Sequence, residues 1–217
     1  MIWPTIIVDN FFDEPNKVIE YSKKLNFSMD KAGSWPGSRT EPLTTIDHNF
    51  FNWVSYRIVR LLYPMNHLDL NWYCDQYFQK VNGEIYKNGG WVHCDFGREI
   101  TAIIYLSKHK NCGTSLYTKK TMFNLAINTE KKEETYKTLN FKNEEKYLKE
   151  NNEMFEKSLT IDSKFNRIVI FDSNQFHAAD MFKDDEDKEE RLTLITFFNS
   201  IYTKNIKYPI TEMRRDF

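Results

Sequence analysis

Glycine is scarce in this chain, with only 7 in 217 residues, so the few present are expected at turns that need them. Cysteine is scarce too. Cys74, Cys94 and Cys112 are odd in number and form no Cys-x-x-Cys pair, which excludes a fully paired disulfide framework and a zinc or redox signature of that kind. They read as ordinary buried or half-buried thiols in a reducing cytoplasm. No apolar run approaches the ~20 residues of a membrane span. The opening Met1-Ile2-Trp3-Pro4-Thr5 has no basic stretch followed by an apolar one, so no export signal is expected either. Neither sign of charge dominates: 30 Lys and Arg against 31 Asp and Glu leave a formal net charge of −1, which gives no reason to expect nucleic acid or another polyanion as a partner. No internal repeat or low-complexity segment occurs.

What is present is globular. Hydrophobic residues make up 41% and aromatics 16%, against 28% charged. The length fits one domain, 1–217, large enough for a single substantial core. Ile6-Ile7-Val8 reads as a strand. Asp13 is placed to cap a helix with Pro15 in its first turn and Val18, Ile19, Ser22 and Leu25 on one face. The loop from Gly33 to Thr40 carries Trp35 and Arg39, both able to reach a site mouth. Asp47 then caps a second helix whose stripe is Phe51, Val54, Ile58, Leu61 and Leu62, with Pro64 as its stop. These helices occupy 13–64.

Beyond them the period shifts towards two. Asn71 to Val81 and Glu84 to Lys87 read as strands joined by a turn at Asn82-Gly83. Ile100 to Leu106 is apolar on both faces and so is expected to be central. Asn111 to Thr114 turns into Ser115-Leu116-Tyr117. Residues 118–160 break the rhythm, with a Lys-, Glu- and Asn-rich run dotted by Tyr136, Leu139 and Phe155; this reads as a polar insertion of one or two surface helices. The acidic run Asp184 to Glu190 reads as a solvated loop between strands. The fold class expected is mainly β with flanking helices (α+β), a sheet sandwich.

Chemistry concentrates in three stretches. In Trp91-Val92-His93-Cys94-Asp95-Phe96, strand alternation turns His93 and Asp95 to one face and Cys94 to the other. An apolar strand from Arg167 runs into a polar turn that ends on His177. Another apolar strand begins at Arg191. Two histidines and one carboxylate with open positions form the facial triad that suits non-haem Fe(II).

The order His-x-Asp, distant His, then an Arg heading the next strand resembles the Fe(II)/2-oxoglutarate-dependent dioxygenases, in particular their prolyl-hydroxylase-like branch. The resemblance covers residues 70–200 and is densest at 86–106 and 167–199. It implies a double-stranded β-helix, the jelly-roll core with the metal inside one mouth. It also implies His93, Asp95 and His177 as ligands of Fe(II), and Arg191 gripping the distal carboxylate of 2-oxoglutarate with Thr193 and Tyr105 as helpers. Tyr86 matches a pocket-lining tyrosine. O2 is then the oxidant, and ascorbate the reductant expected to support turnover in vitro. Two features depart from the pattern: Cys112 to Tyr117 is a loose version of the family's Gly-Gly-x-Thr-x-Phe stretch, and the spacing from His177 to Arg191 is long. The activity implied is hydroxylation of a small-molecule or peptide substrate, coupled to conversion of 2-oxoglutarate to succinate. The alternatives are a non-catalytic or zinc-bearing jelly roll that only binds a partner, and a metal-dependent hydrolase, which has no use for the anion clamp.

Overall fold

The computed structural model describes residues 4–63, 70–120, 130–134, 136, 141–184 and 189–203. In chain order the strands are β1 (Ile6–Val8), β2 (Ser28–Met29), β3 (Ser38–Arg39), β4 (Leu70–Val81), β5 (Ile100–Tyr105), β6 (Thr114–Lys119), β7 (Phe155–Ile161), β8 (Ile168–Asp172), β9 (Phe176–Ala179) and β10 (Arg191–Thr203). Seven of them make one sheet, ordered β1-β8-β5-β10-β4-β3-β2, and three make a second, β7-β6-β9. Neighbouring strands pair antiparallel throughout. The result is a jelly roll, mainly β with flanking helices.

Alternation along the central strands divides the large sheet into two working faces. Ile100, Ala102 and Ile104 of β5, Ile168 and Ile170 of β8, and Leu192, Leu194 and Phe198 of β10 all turn outwards. They bury themselves against α3 (His48–Leu62), which contributes Phe51, Val54, Ile58 and Leu62. The opposite face carries Tyr105, Val169 and Phe171, packed on Leu116 and Ile161 of the small sheet. Strand β5 is therefore covered on both sides, as a run that is apolar on both faces predicts.

The helices follow their caps. Asp47 accepts the Phe50 N–H at 2.9 Å and starts α3, directly after the short α2 (Leu43–Ile46). In α1 (Pro15–Ser22) Pro15 stands at the first turn, but the Asp13 side chain does not cap it; that carboxylate lies 3.3 Å from Arg57 Nη1 instead.

Three further local expectations fail. Residues 84–87 are not a strand. The Asn82 side chain accepts the Glu84 N–H at 2.9 Å and its carbonyl accepts Ile85 and Tyr86 N–H groups, winding the chain into a turn. Within the polar insertion α4 (Phe141–Asn152) is a helix, but Phe155–Ile161 is strand β7, without which the small sheet would lose an edge. Its ends, Phe155 and Ile161, are buried while the five residues between them are exposed, so no alternation marks it. Asp184 of the acidic run is buried and accepts the Lys110 N–H, so it is no solvated residue. Pro64, Leu139 and residues 185–188, to which the sequence also assigns roles, lie outside the described residues.

Asn166 ties the amino-terminal segment to the sheet. At φ 62° its side chain accepts the Phe12 N–H at 2.9 Å and donates to the Phe12 carbonyl at 2.8 Å. Asn166→Gly keeps the backbone freedom but strands both buried Phe12 groups. Urea denaturation should record a loss of about 2–4 kcal/mol; a loss below about 0.5 kcal/mol would mean that solvent replaces both bonds.

Candidate metal centre and its cavity

Residues 91–95 run alongside β9 without becoming a regular strand. One antiparallel bridge fixes them: His93 N–H donates to the His177 carbonyl at 3.0 Å and His177 N–H to the His93 carbonyl at 2.8 Å. Two residues so paired project their side chains to the same face. Their rings lie 4.5 Å apart, centroid to centroid. Asp95 N–H donates to the Ser173 carbonyl at 2.8 Å, which places its carboxylate two residues along and on the same side. Gly90 lies in the approach to this bridge, where a Cβ would come within 2.8 Å of the Ala179 nitrogen. Beside it the Asn152 side chain donates to the Gly90 carbonyl and accepts the Val92 N–H, so the end of α4 braces the segment.

Each histidine has its Nδ1 against a backbone carbonyl, Trp91 at 2.7 Å for His93 and Gln175 at 2.9 Å for His177. A carbonyl only accepts, so Nδ1 carries the hydrogen and Nε2 of a neutral ring keeps its lone pair. Both Nε2 atoms face Asp95, at 3.6 Å from Oδ1 for His93 and 3.4 Å from Oδ2 for His177. The three donor atoms fall within 4.8 Å of one another, and no other group of His, Cys, Asp or Glu among the described residues gathers this way. Cys94 borders the same cavity but its sulfur stands outside the cluster.

Electrostatics hold His93 and Asp95 in ligating form. Burial, and then the neighbouring His177 ring, push the pKa of His93 down, so it stays neutral. Burial alone would push Asp95 up, but the His177 and His93 rings, the Thr101 hydroxyl and Arg39 outweigh it and keep the carboxyl below its ordinary value. Thr101 Oγ1 donates to Asp95 Oδ2 at 2.6 Å and also meets Ser173 Oγ at 2.9 Å. The donor set of two imidazoles and one carboxylate leaves several positions of an octahedral ion open, which fits Fe(II).

The cluster opens on a cavity of about 340 Å³. On its wall Arg191, only 5% exposed, begins β10, with Nε donating to the Cys112 carbonyl at 3.0 Å and the guanidinium 5.5 Å from the Tyr105 ring centre. It pairs with no carboxylate among the described residues, and burial lowers its pKa. Thr193, next on the same face, is fully buried, and its Oγ1 has no hydrogen-bond partner among the described residues. The ladder sets Thr193 opposite Tyr105 on one side and Gln79 on the other. Tyr105 donates to Thr114 Oγ1 at 2.7 Å. A buried cation beside an orphaned hydroxyl fits an anionic group between them.

Tyr86 is placed elsewhere. It is buried edge-on against Tyr136 and Phe182, which themselves border the cavity, so it backs the wall without forming it. Trp35 and Arg39 do reach the mouth. Sequence reasoning missed Lys132 on the cavity wall, since a Lys/Glu run reads as a solvated face and only the fold brings residues 130–134 over the site. Thr101 and Ser173 were also missed, though a polar residue on β5, an otherwise apolar strand, was a usable signal.

A protein-family profile described as a family of unknown function (DUF6445) matches residues 92–198, a span that includes the three donors, Tyr105, Arg191 and Thr193. No curated protein matches the sequence. Among solved structures, HygX from Streptomyces hygroscopicus with nickel and 2-oxoglutarate bound is similar, with a TM-score of 0.54 and 12% identity over 94% of this chain and 84% of that one. HygX with nickel, 2-oxoglutarate and hygromycin B bound gives a TM-score of 0.56, at the same identity and coverage. The non-haem alpha ketoglutarate dependent epimerase SnoN from nogalamycin biosynthesis matches with a TM-score of 0.56 and 10% identity, over 95% and 83% of the two chains. At such identities the likeness is one of fold: the chain shares its jelly roll with these proteins.

Thr101→Val tests how much the second layer of the centre matters. Calorimetric titration with a divalent metal should show a ~10- to 100-fold weaker site, because the carboxylate loses the bond that orients it. His93→Ala should bind no metal at the site, with its melting temperature nearly unchanged. Full metal affinity in His93→Ala would remove that residue from the ligand set.

Proposed function

We propose that the protein is an Fe(II)- and 2-oxoglutarate-dependent dioxygenase that hydroxylates its substrate. The observation that carries this reading is Arg191, a buried guanidinium with no carboxylate partner among the described residues, beside the unsatisfied Thr193 hydroxyl and in the cavity that holds the His/Asp/His cluster. A site that bound only a metal would have no use for that cation. HygX with 2-oxoglutarate bound and the alpha ketoglutarate dependent SnoN share the fold, which supports the assignment.

In this reading His93, Asp95 and His177 hold Fe(II) through the two Nε2 atoms and the carboxylate. Arg191 grips the distal carboxylate of 2-oxoglutarate as a fork, and Thr193 Oγ1 donates to it. The Tyr105 hydroxyl, across the ladder, is a further donor once it exchanges Thr114 for the carboxylate. When bound, the metal and 2-oxoglutarate supply the oxidising chemistry, one oxygen of O2 going to the substrate and the other to the succinate left by decarboxylation. The chain's own contribution is to orient both partners and exclude water: Ile103, Ile195 and Phe197 form an apolar wall beside the cluster.

Calorimetric titration of 2-oxoglutarate into the anaerobic metal-loaded protein tests the clamp. Arg191→Ala removes a charge-assisted contact of about 1.5–3 kcal/mol and should weaken 2-oxoglutarate roughly 10- to 150-fold while metal affinity holds. Tyr105→Phe should cost less, on the order of 0.5–1.5 kcal/mol. Unchanged affinity in Arg191→Ala would withdraw the cosubstrate assignment.

A further inference from the structure

The cavity holds more positive charge than iron and cosubstrate chemistry requires. In the reading above, a divalent metal, Asp95, a dianionic 2-oxoglutarate and Arg191 leave no net charge. Arg98 is matched by Asp75 at 2.8 Å. Arg39 and Lys132 also border the cavity, and neither pairs with a carboxylate among the described residues. Both sit in the field of Asp95, Arg39 also in that of Asp30 and Lys132 in that of Glu133. Arg191 stands on β10, with β4 between it and the β3 strand that carries Arg39.

Arg39 is held as a preformed binding group. Its Nε and Nη2 both donate to the same neutral oxygen, Gln79 Oε1, at 3.3 and 3.1 Å, while Gln79 Nε2 is anchored on the Pro36 carbonyl. The guanidinium lies 4.3 Å over the Trp35 ring, with Phe197 at 5.5 Å and Tyr77 at 5.8 Å. Gly37 makes this possible: at φ 73° it presses on β4, where a Cβ would stand 2.0 Å from the Lys80 oxygen. Trp35 Nε1 is buried beside the guanidinium with no partner among the described residues, an unmet donor of its own. A half-buried guanidinium stacked on an aromatic ring, with N–H groups that no described residue takes up, is a receptor for a carboxylate, phosphate or sulfate. Trp35, Phe96 and Phe197 supply apolar surface around it.

We propose that Arg39 and Lys132 form an anion-binding subsite for the substrate, which is therefore a small organic anion with an apolar or aromatic body. The proposal rests on the dioxygenase reading for its charge count but is tested apart from it. Benzenesulfonate is a suitable probe because sulfonates are poor metal ligands, and methyl phenyl sulfone is its neutral isostere. Calorimetry on the full chain with zinc and saturating 2-oxoglutarate should show the sulfonate binding at least ~10-fold tighter than the sulfone. Arg39→Gln and Lys132→Gln should each weaken it ~10-fold or more, with Arg39→Lys between wild type and Arg39→Gln, and 2-oxoglutarate affinity should stay within ~3-fold in all three. In Arg191→Ala the sulfonate should bind as in wild type.

Equal binding of the two probes, no binding of the sulfonate, indifference to both substitutions, or competition with 2-oxoglutarate that Arg191→Ala abolishes would each overturn the subsite. If 2-oxoglutarate itself fails to bind, the dioxygenase reading falls, while the dependence of the sulfonate on Arg39 and Lys132 still decides this one. Lys132→Gln and Arg39→Lys keep the test decisive should Arg39→Gln fail to fold.

Discussion

The reciprocal pair of backbone bonds between His93 and His177 is the contact on which the site depends. Neither histidine sits where secondary structure alone would aim it: His93 lies in an irregular run and His177 on a four-residue strand. The bridge fixes both Cα atoms at once, and with them the direction of both rings. The Nδ1 contacts to Trp91 and Gln175 then settle ring rotation, so that Nε2 meets Nε2 across Asp95. Everything that surrounds the bridge can be read as support for it. Gly90 allows the close approach, Asn151 and Asn152 fasten Val92 and Gly90 to the end of α4, and β7 completes the sheet that carries β9.

A second constraint is the imbalance of charge inside the cavity. A buried cation such as Arg191, with no carboxylate partner among the described residues, destabilises a fold unless a ligand compensates it, so its persistence points to a ligand that brings negative charge. Arg191 and Arg39 stand on strands of one sheet, β10 and β3, separated by β4. Each is held by neutral oxygens, Cys112 for one and Gln79 for the other, an arrangement that positions a guanidinium without neutralising it. The sheet thus presents to one cavity two guanidiniums that have no carboxylate partner among the described residues.

Much of this was legible along the chain, and the rest was not for identifiable reasons. Apolar runs marked β5 and β10 because both strands are buried in the sheet, and Asp47 announced α3 through a local bond that needs no tertiary context. The order His-x-Asp, His, Arg selected residues that the fold does gather in one cavity. Strand β7 was hidden because its middle faces solvent. Residues 84–87 misled because Asn82-Gly83 is as good a start for a wound turn as for a hairpin, and here the Asn82 side chain and carbonyl take the following N–H groups. Lys132 was invisible for a different reason: nothing local separates a lysine over a cavity from one in water.

The central claim is that this cavity chelates 2-oxoglutarate on Fe(II). Visible absorption of the anaerobic Fe(II) protein tests it most directly, because the 1-carboxylate and 2-ketone bound together to the metal produce a charge-transfer band. The account predicts a band that saturates with 2-oxoglutarate and is absent with glutarate, which lacks the ketone. A protein that binds Fe(II) at His93, Asp95 and His177 yet shows no such band at any 2-oxoglutarate concentration would contradict it.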